Sequence, residues 1–493
     1  MKSSIWPKSS NTRVDRSLAA HSVMALAISA LLFIVCLSGT LAVFEDELGW
    51  WEYPATPSVS SVTPEAAQSA MEAGLAIEPD SSHLYLYLPR DNWPRFVVAT
   101  DNSVQTANAD GELVGPYESA WNDFLIHMHY YLHLPESFGM IFVAILGVML
   151  VAMSISGFLA HPRIFRDAFR LKRSGQPRLI QADLHNRLSV WTAPFHILVA
   201  ATGAVIGLFV VVAYLLAVTS YNGDTQALSN AIFGAEAAPD ETPSDMPDLA
   251  MAMQNMAIET PDTPPFLVVV HDPGTVGQHI GIYGEHTDRL IYGETYEFDA
   301  SGTFLGVEGS SNGALGQQIA SSVYRLHFGD FGGLIMKVAY FILGALLCII
   351  VASGMNIYFL KAKEKGRATP RLEAAWAGFV WGSSALFAIT LIAALLGAPS
   401  IALTYVFWIG AIVLTGLSAW KGQNGRAGRI LRAVLGLSMV VSAILHAALH
   451  ADTYANVYIA LTSLALLLGG LGFLVEPGAR LFGQKEKPRL QHS

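Results

Sequence analysis

The residues of this chain best able to do chemistry are histidines placed in or beside apolar runs. The segment 183–207, DLHNRLSVWTAPFHILVAATGAVIG, carries His185 and His196 eleven residues apart. On a continuous helix that spacing turns about 20° past three full turns and rises about 16 Å. Both imidazoles would then share one stripe, one at the helix mouth and one near mid-bilayer. Ionisable groups inside an apolar helix are costly and call for named partners. Those partners are other histidines at the ends of other apolar runs: His21, His161, His127, His129, His133, His327, His446 and His450. Neutral imidazole suits transition ions and is an axial ligand of haem iron.

The elements that must position them are membrane helices. Of 493 residues, 52 % are hydrophobic and 14 % charged, and mean hydropathy is +0.42. These values, with several apolar runs near twenty residues long, define a polytopic membrane protein. Cys36 and Cys348 are the only cysteines and both sit in apolar runs, which excludes a thiolate cluster.

The net charge of −10 is unevenly spread, and its spread sets an expected topology. Residues 1–17 carry Lys2, Lys8, Arg13 and Arg16 and form a cytoplasmic N-terminus ahead of a retained first span, 18–44. Segment 45–136 has fifteen acids and two bases, so it is external; span two follows at 137–160. The loop 161–187 has seven bases against two acids and returns to the cytoplasm before span three, 188–218. Segment 219–331 is external again, with a linker over 222–265 rich in Pro, Ala, Asp and Glu, and span four is 332–360. Four further spans over 374–475 and a cytoplasmic tail, 476–493, complete eight spans with both ends inside. The expected fold is all-α and polytopic, with two small α+β external domains. PEAAQSAMEAGL reads as a helix; HLYLYLP, RFVVAT, FLVVVHDPG and HIGIYGE read as strands.

On this topology the histidines form two layers. His21, His161 and His185 lie near the cytoplasmic face, with His196 deeper; His127, His129, His133, His327, His446 and His450 lie near the outer face. Paired histidines on facing helices hold b-type haem, and two layers give two haems and an electron path across the bilayer. Set against this are solvation of terminal histidines at headgroup level, a structural hydrogen bond for His196, and chelation of a metal ion by the i,i+4 pairs His129/His133 and His446/His450. Lys337 would neutralise a haem propionate or snorkel to the interface. The chain has no P-loop, GxGxxG, CxxC or HExxH, so a separate quinol or cytoplasmic donor would supply electrons.

The first four spans echo one another. Ser38-Gly39-Thr40 and Thr202-Gly203 occupy spans one and three, while Ser156-Gly157 and Ser353-Gly354 end spans two and four. FLIHMHYYLH and YRLHFGDFGG precede spans two and four. This reads as a duplicated helix pair. Together with SISGFLAHPRIFRDAF and DLHNRLSVWTAPFHILVAATG, these runs resemble the PepSY-associated transmembrane-helix family over roughly residues 15–360. The resemblance implies a four-helix core with PepSY-like outer domains in a bacterial inner membrane. It further implies a ferric-iron or ferric-siderophore reductase containing haem b. By its motifs, His21 and His185 (or His196) would ligate the cytoplasmic-side haem, and His129 (or His127) and His327 the outer one. No nucleic-acid partner is expected. The competing classes are an iron or metal permease using the histidine pairs, and a sensory or inhibitory membrane module.

Overall fold

The structure is a computed structural model. It describes residues 11–475 apart from 55, 91–92, 162–175, 226, 229–239, 286–289, 292, 309–314 and 423–425. The first ten residues, most of the basic loop, part of the 222–265 linker and the 476–493 tail therefore lie outside the described residues. The chain divides into two units, Met1–Met355 and Asn356–Ser493.

The membrane part of the first unit contains α1 (Asn11–Ala42), α5 (Glu136–Ala160) and the start of α11 (Gly333–Glu364). Each is apolar around its circumference, which suits lipid on one side and neighbouring helices on the other. Between them run α6 (Pro177–Trp191), α7 (Ala193–Gly207) and α8 (Phe209–Ser220). By length and composition seven described helices of the chain can cross a membrane, or eight if the bent α6–α7 pair is one span. The protein is a multi-pass membrane protein.

The third span is not the straight helix on which His185 and His196 would share a stripe. α6 and α7 meet at Thr192 with a bend of 67°. Pro194 is the cause: it has no N–H to give the carbonyl of Val190, and its ring crowds that turn. The two histidines consequently stand on different helices.

The segments between the spans build one eight-stranded antiparallel sheet, ordered β4-β3-β2-β1-β5-β6-β7-β8. β1 (His83–Tyr87), β2 (Phe96–Ala99), β3 (Val104–Ala107) and β4 (Leu113–Pro116) come from the first segment. β5 (Pro265–His271), β6 (His279–Gly284), β7 (Glu294–Phe298) and β8 (Phe304–Glu308) come from the second. The two segments expected to form two small α+β domains share this one sheet. β1 pairs with β5, Leu84 opposite Val270 and Leu86 opposite Val268, and a single core crosses the joint.

On one face of the sheet lie α3 (Pro64–Ile77) and α9 (Leu249–Glu259). Thr63 caps α3 by accepting from the N–H of Ala66, and Asp248 caps α9 by accepting from Met251. α9 falls inside the stretch read as linker. Its Leu249, Ala252, Met253 and Met256 recur at helical spacing and are buried against the sheet. Leu84, Leu86, Val268, Val270, Ile280, Ile282 and Phe298 are fully buried, each worth about 1.5–3 kcal/mol of apolar burial.

Two short helices bring this layer down to the spans. α4 (Ala120–Tyr131) precedes α5, and α10 (Leu315–Phe328) precedes α11. The start of α4 is capped from α2 (Glu45–Glu52): Glu52 accepts from the N–H groups of Trp121 (2.6 Å) and Asn122 (3.0 Å). α10 is tied to α11 by the Tyr340 hydroxyl, which donates to the carbonyl of Leu326 at 2.8 Å.

In the second unit, α12 (Pro370–Leu395) packs on α13 (Ser400–Lys421) and α14 (Arg426–Leu449), and α14 packs on α15 (Val457–Leu474). Gly436 and Gly470 let the α14 and α15 backbones touch: a Cβ on either would sit 2.6 to 2.7 Å from the other's carbonyl oxygen.

Candidate functional site

Four histidines occupy four copies of one socket. Each socket is a helical turn ending in Ser-Gly or Thr-Gly: Val35–Gly39 on α1, Met153–Gly157 on α5, Val199–Gly203 on α7 and Ile350–Gly354 on α11. In each, the carbonyl four residues before the glycine takes a hydrogen bond from an imidazole on another helix. His129 Nδ1 donates to Val35 O (3.0 Å), His21 Nδ1 to Met153 O (2.9 Å) and His185 Nδ1 to Ile350 O (3.0 Å). His327 bonds the backbone of Val199 in the same way. The hydroxyl before each glycine reinforces the contact. Ser38 (3.5 Å), Ser156 (3.3 Å), Ser353 (3.1 Å) and Thr202 (3.0 Å) each lie against the corresponding Nδ1.

The glycine is what admits the ring. A Cβ on Gly39 would run into the His129 ring, and one on Gly203 would lie 2.7 Å from Cε1 of His327. At Gly354 and Gly157 the ring stands 3.3 and 3.5 Å from the same imagined atom. The chemistry follows from the partner. A carbonyl oxygen only accepts, so Nδ1 carries the proton and Nε2 is left with a bare lone pair. Such an outer hydrogen bond fixes the tautomer and orientation of a ligating imidazole.

The sockets bring the rings together in two pairs. His129 and His327 lie 6.1 Å apart between ring centres, with planes 22° apart. His21 and His185 lie 6.4 Å apart at 81°. With metal–nitrogen bonds of about 2.0 Å and ring centres about 1.1 Å behind each nitrogen, two imidazoles on opposite sides of one metal ion stand roughly 6.2 Å apart. Rotation about that axis is free, so both plane angles are compatible with it.

Each pair brings only two protein donors. Among the described residues, no group of three or more His, Cys, Asp or Glu side chains is arranged to hold a metal ion. Each pair could supply two imidazole nitrogens to a haem iron, which would bring reversible one-electron chemistry.

The remaining candidates are placed elsewhere. His196 is buried, with Nδ1 3.2 Å from Thr192 Oγ1 one turn back on its own helix. His127 stacks on Tyr131 at 5.0 Å and lies 6.1 Å from His133. His161 is the C-cap of α5. The expected i,i+4 relation of His129 and His133 does not form, because α4 ends at Tyr131 and both Leu132 (φ 55°) and His133 (φ 56°) turn left-handed. His133 stacks on Phe124, and its Nε2 lies 3.0 Å from the Phe124 carbonyl; burial pushes its pKa down to about 4.

In the second unit His446 is not solvated at an interface. It is fully buried, with Nδ1 2.9 Å from the Tyr454 hydroxyl, which lies 2.7 Å from Ser463. His450 lies 4.9 Å from it, ring to ring.

Next to the His129/His327 pair lies a cavity of about 400 Å³, lined in part by Tyr130 and Phe328, the chain neighbours of the two histidines. Its charged walls are Glu45, Asp46, Asp330, Arg90, Arg325 and Lys337. Lys337 neither snorkels nor stands free for a propionate: it is buried and bonds Glu47 at 2.9 Å and Asp46 at 3.4 Å. Arg325 bonds Glu285 at 2.8 Å. Burial, with the Asp46 charge added, pushes the Glu45 carboxyl up to about 8, so it holds a proton at neutral pH. Asp330 lies within the YRLHFGDFGG run, and Glu45 and Asp46 sit just past the end of the first apolar run, but no role for them is read from the sequence.

Fold and site together define a class: a multi-pass membrane protein in which two helix-pair repeats, roofed by one sheet, present histidines to each other in two facing pairs. The profile of the family described as PepSY-associated TM region matches residues 18–361, and the chain belongs to that family. The chain is also similar to Uncharacterized protein PA4219 of Pseudomonas aeruginosa, 26 % identical over 264 residues. That match covers 51 % of this chain and 66 % of the relative's length.

Proposed function

We propose that this protein carries electrons across a bacterial inner membrane through two b-type haems and delivers them to ferric iron, free or chelated, on the side of the sheet. The observation that carries this reading is the socket repeated four times, which commits Nδ1 of four imidazoles whose rings stand in two close pairs. His21 and His185 would hold one haem, and His129 and His327 the other. Bound haem supplies reversible one-electron chemistry at a potential set by its axial ligands and their hydrogen bonds. The chain's own part is to fix the imidazole tautomers and to exclude water from the pairs.

The cavity beside His129 and His327 is the place for the oxidant to approach. Fifteen acids against two bases in the first sheet-forming segment, and sixteen against two in the second, favour free cations and weakly charged or cationic ferric chelates over anionic ones. Electrons would enter at the His21/His185 end from a quinol or a cytoplasmic donor. A metal permease built on His446 and His450 is the weaker reading, since neither of these histidines sits in a socket of this kind.

The deciding experiment is a reduced-minus-oxidised absorbance spectrum of the detergent-purified protein, with haem quantified per chain. The proposal expects bis-histidine b-type bands at about two haems per chain, halved in His327→Ala. A colourless protein from haem-replete cells overturns it. If haem is present, reduction of a ferric chelate in reconstituted vesicles tests the reaction.

A further inference from the structure

A second group of histidines, apart from the sockets, crosses the sheet. His83 on β1 is directly paired with His271 on β5, and His271 with His279 on β6. The alternation along these strands sends Leu84, Val270 and Ile280 into the core under α3 and α9. The three histidines therefore share the opposite face. Their rings form a row: His83 to His271 is 5.2 Å between centres, and His271 to His279 is 4.3 Å with planes 2° apart. Asp101 closes one end, with Oδ1 3.8 Å from His83 Nδ1, and is itself fixed by the N–H of Ser82 at 2.7 Å. At the other end His279 Nδ1 donates weakly to the carbonyl of Gly277 (3.4 Å), leaving its Nε2 with a lone pair.

Three imidazoles at mutually paired positions would repel one another if protonated, and burial with these neighbours holds His271 down to about 4.

We propose that this row is a binding site for a divalent transition-metal ion of the copper, nickel or zinc class, held by His271 and His279, with His83 as third donor and Asp101 beside it. Directly opposed residues of an antiparallel pair have Cβ atoms about 4.5–5.5 Å apart, within reach of one ion for imidazoles. As they stand, His271 and His279 lie face to face and His83 edge-on to His271, rather than around one point. Binding turns at least one of them about its soft terminal torsion. Imidazole donors favour copper, nickel and zinc over iron(II), so the site is distinct in preference from the proposed iron chemistry.

The test uses the full detergent-purified chain, stripped with a chelator and titrated with Cu(II). Electron paramagnetic resonance should report one tight equivalent with hyperfine coupling to two or more imidazole nitrogens. The double variant His271→Gln/His279→Gln should lose that equivalent, and the half-exposed His83→Gln should weaken it about tenfold, whereas His127→Gln should leave it unchanged. Circular dichroism and the haem spectrum report whether the variants keep their fold. A wild-type spectrum without imidazole hyperfine overturns the proposal whatever the variants do. So does tight binding that survives in the folded double variant.

Discussion

A histidine is a useful ligand only when its second nitrogen is spoken for, and here the same helical turn does this four times. The glycine of each socket is required by closeness. Gly203→Ala would bring a methyl within 2.7 Å of the His327 ring, which cannot retreat while Nδ1 is bonded to Val199 and Thr202. Haem per chain should fall by about half in Gly203→Ala and in Gly39→Ala, and much less in Gly157→Ala, where the contact is 3.5 Å. Equal losses at all three would mean that packing, and not the ligand ring, reads the glycine.

Glu45 belongs to the same scale. Its carboxyl is raised from 4.5 to about 8 by burial, so its contribution to stability is present below the unfolded value and is lost as pH rises through the folded one. Glu45→Gln should match the wild type in thermal midpoint near pH 4.5. It should become progressively the more stable protein between there and about pH 8, above which the difference levels off. Midpoints that stay parallel across that range would place the carboxyl in water.

Among elements, the bend at Pro194 does most to build the site, since it lets α6 carry His185 to the Ile350 socket while α7 presents the Gly203 socket to α10. Pro194→Ala should restore the missing hydrogen bond and favour a straighter helix. The expected outcome is selective loss of the His21/His185 centre with the His129/His327 centre retained, read as two spectral components resolved by redox titration. Equal loss of both would assign the bend a general folding role.

Hydropathy alone marks the membrane runs, and the spacing of His185 and His196 was readable as a stripe only for an unbroken helix. Pro194 was visible in the sequence, but the size and direction of its bend depend on packing. The Ser-Gly and Thr-Gly steps were legible as an echo, yet nothing local says that a ring from another helix fills them. α9 was hidden by the acidic, proline-rich composition around it, although Asp248 followed by apolar residues at helical spacing was its signature. β3, four residues long and half polar, carried no signal strong enough to separate it from a turn.

At the scale of the whole first unit, the sheet and the spans obey one repeat. The strand order is symmetric about the β1–β5 joint, α3 corresponds to α9, α4 to α10, and the sockets of α1 and α5 to those of α7 and α11. Because a single core spans the joint, Leu86→Ala in one half and Ile282→Ala in the other should each destabilise the same cooperative unit by about 2–5 kcal/mol. Hydrogen exchange of β1 through β7 checks this: two independently opening halves would contradict a shared core.

The repeat also fixes where each ligand comes from. His21 faces His185, its counterpart in the other repeat, and His129 faces His327, likewise its counterpart. Neither repeat owns a histidine pair; each owns half of both. In terms of descent, a chain of one repeat joining a second copy about a true twofold would already form both centres and the continuous sheet, from two histidines per chain. Fusion of two such copies would turn a subunit interface into an interior, and would release each histidine from having to change in step with its twin.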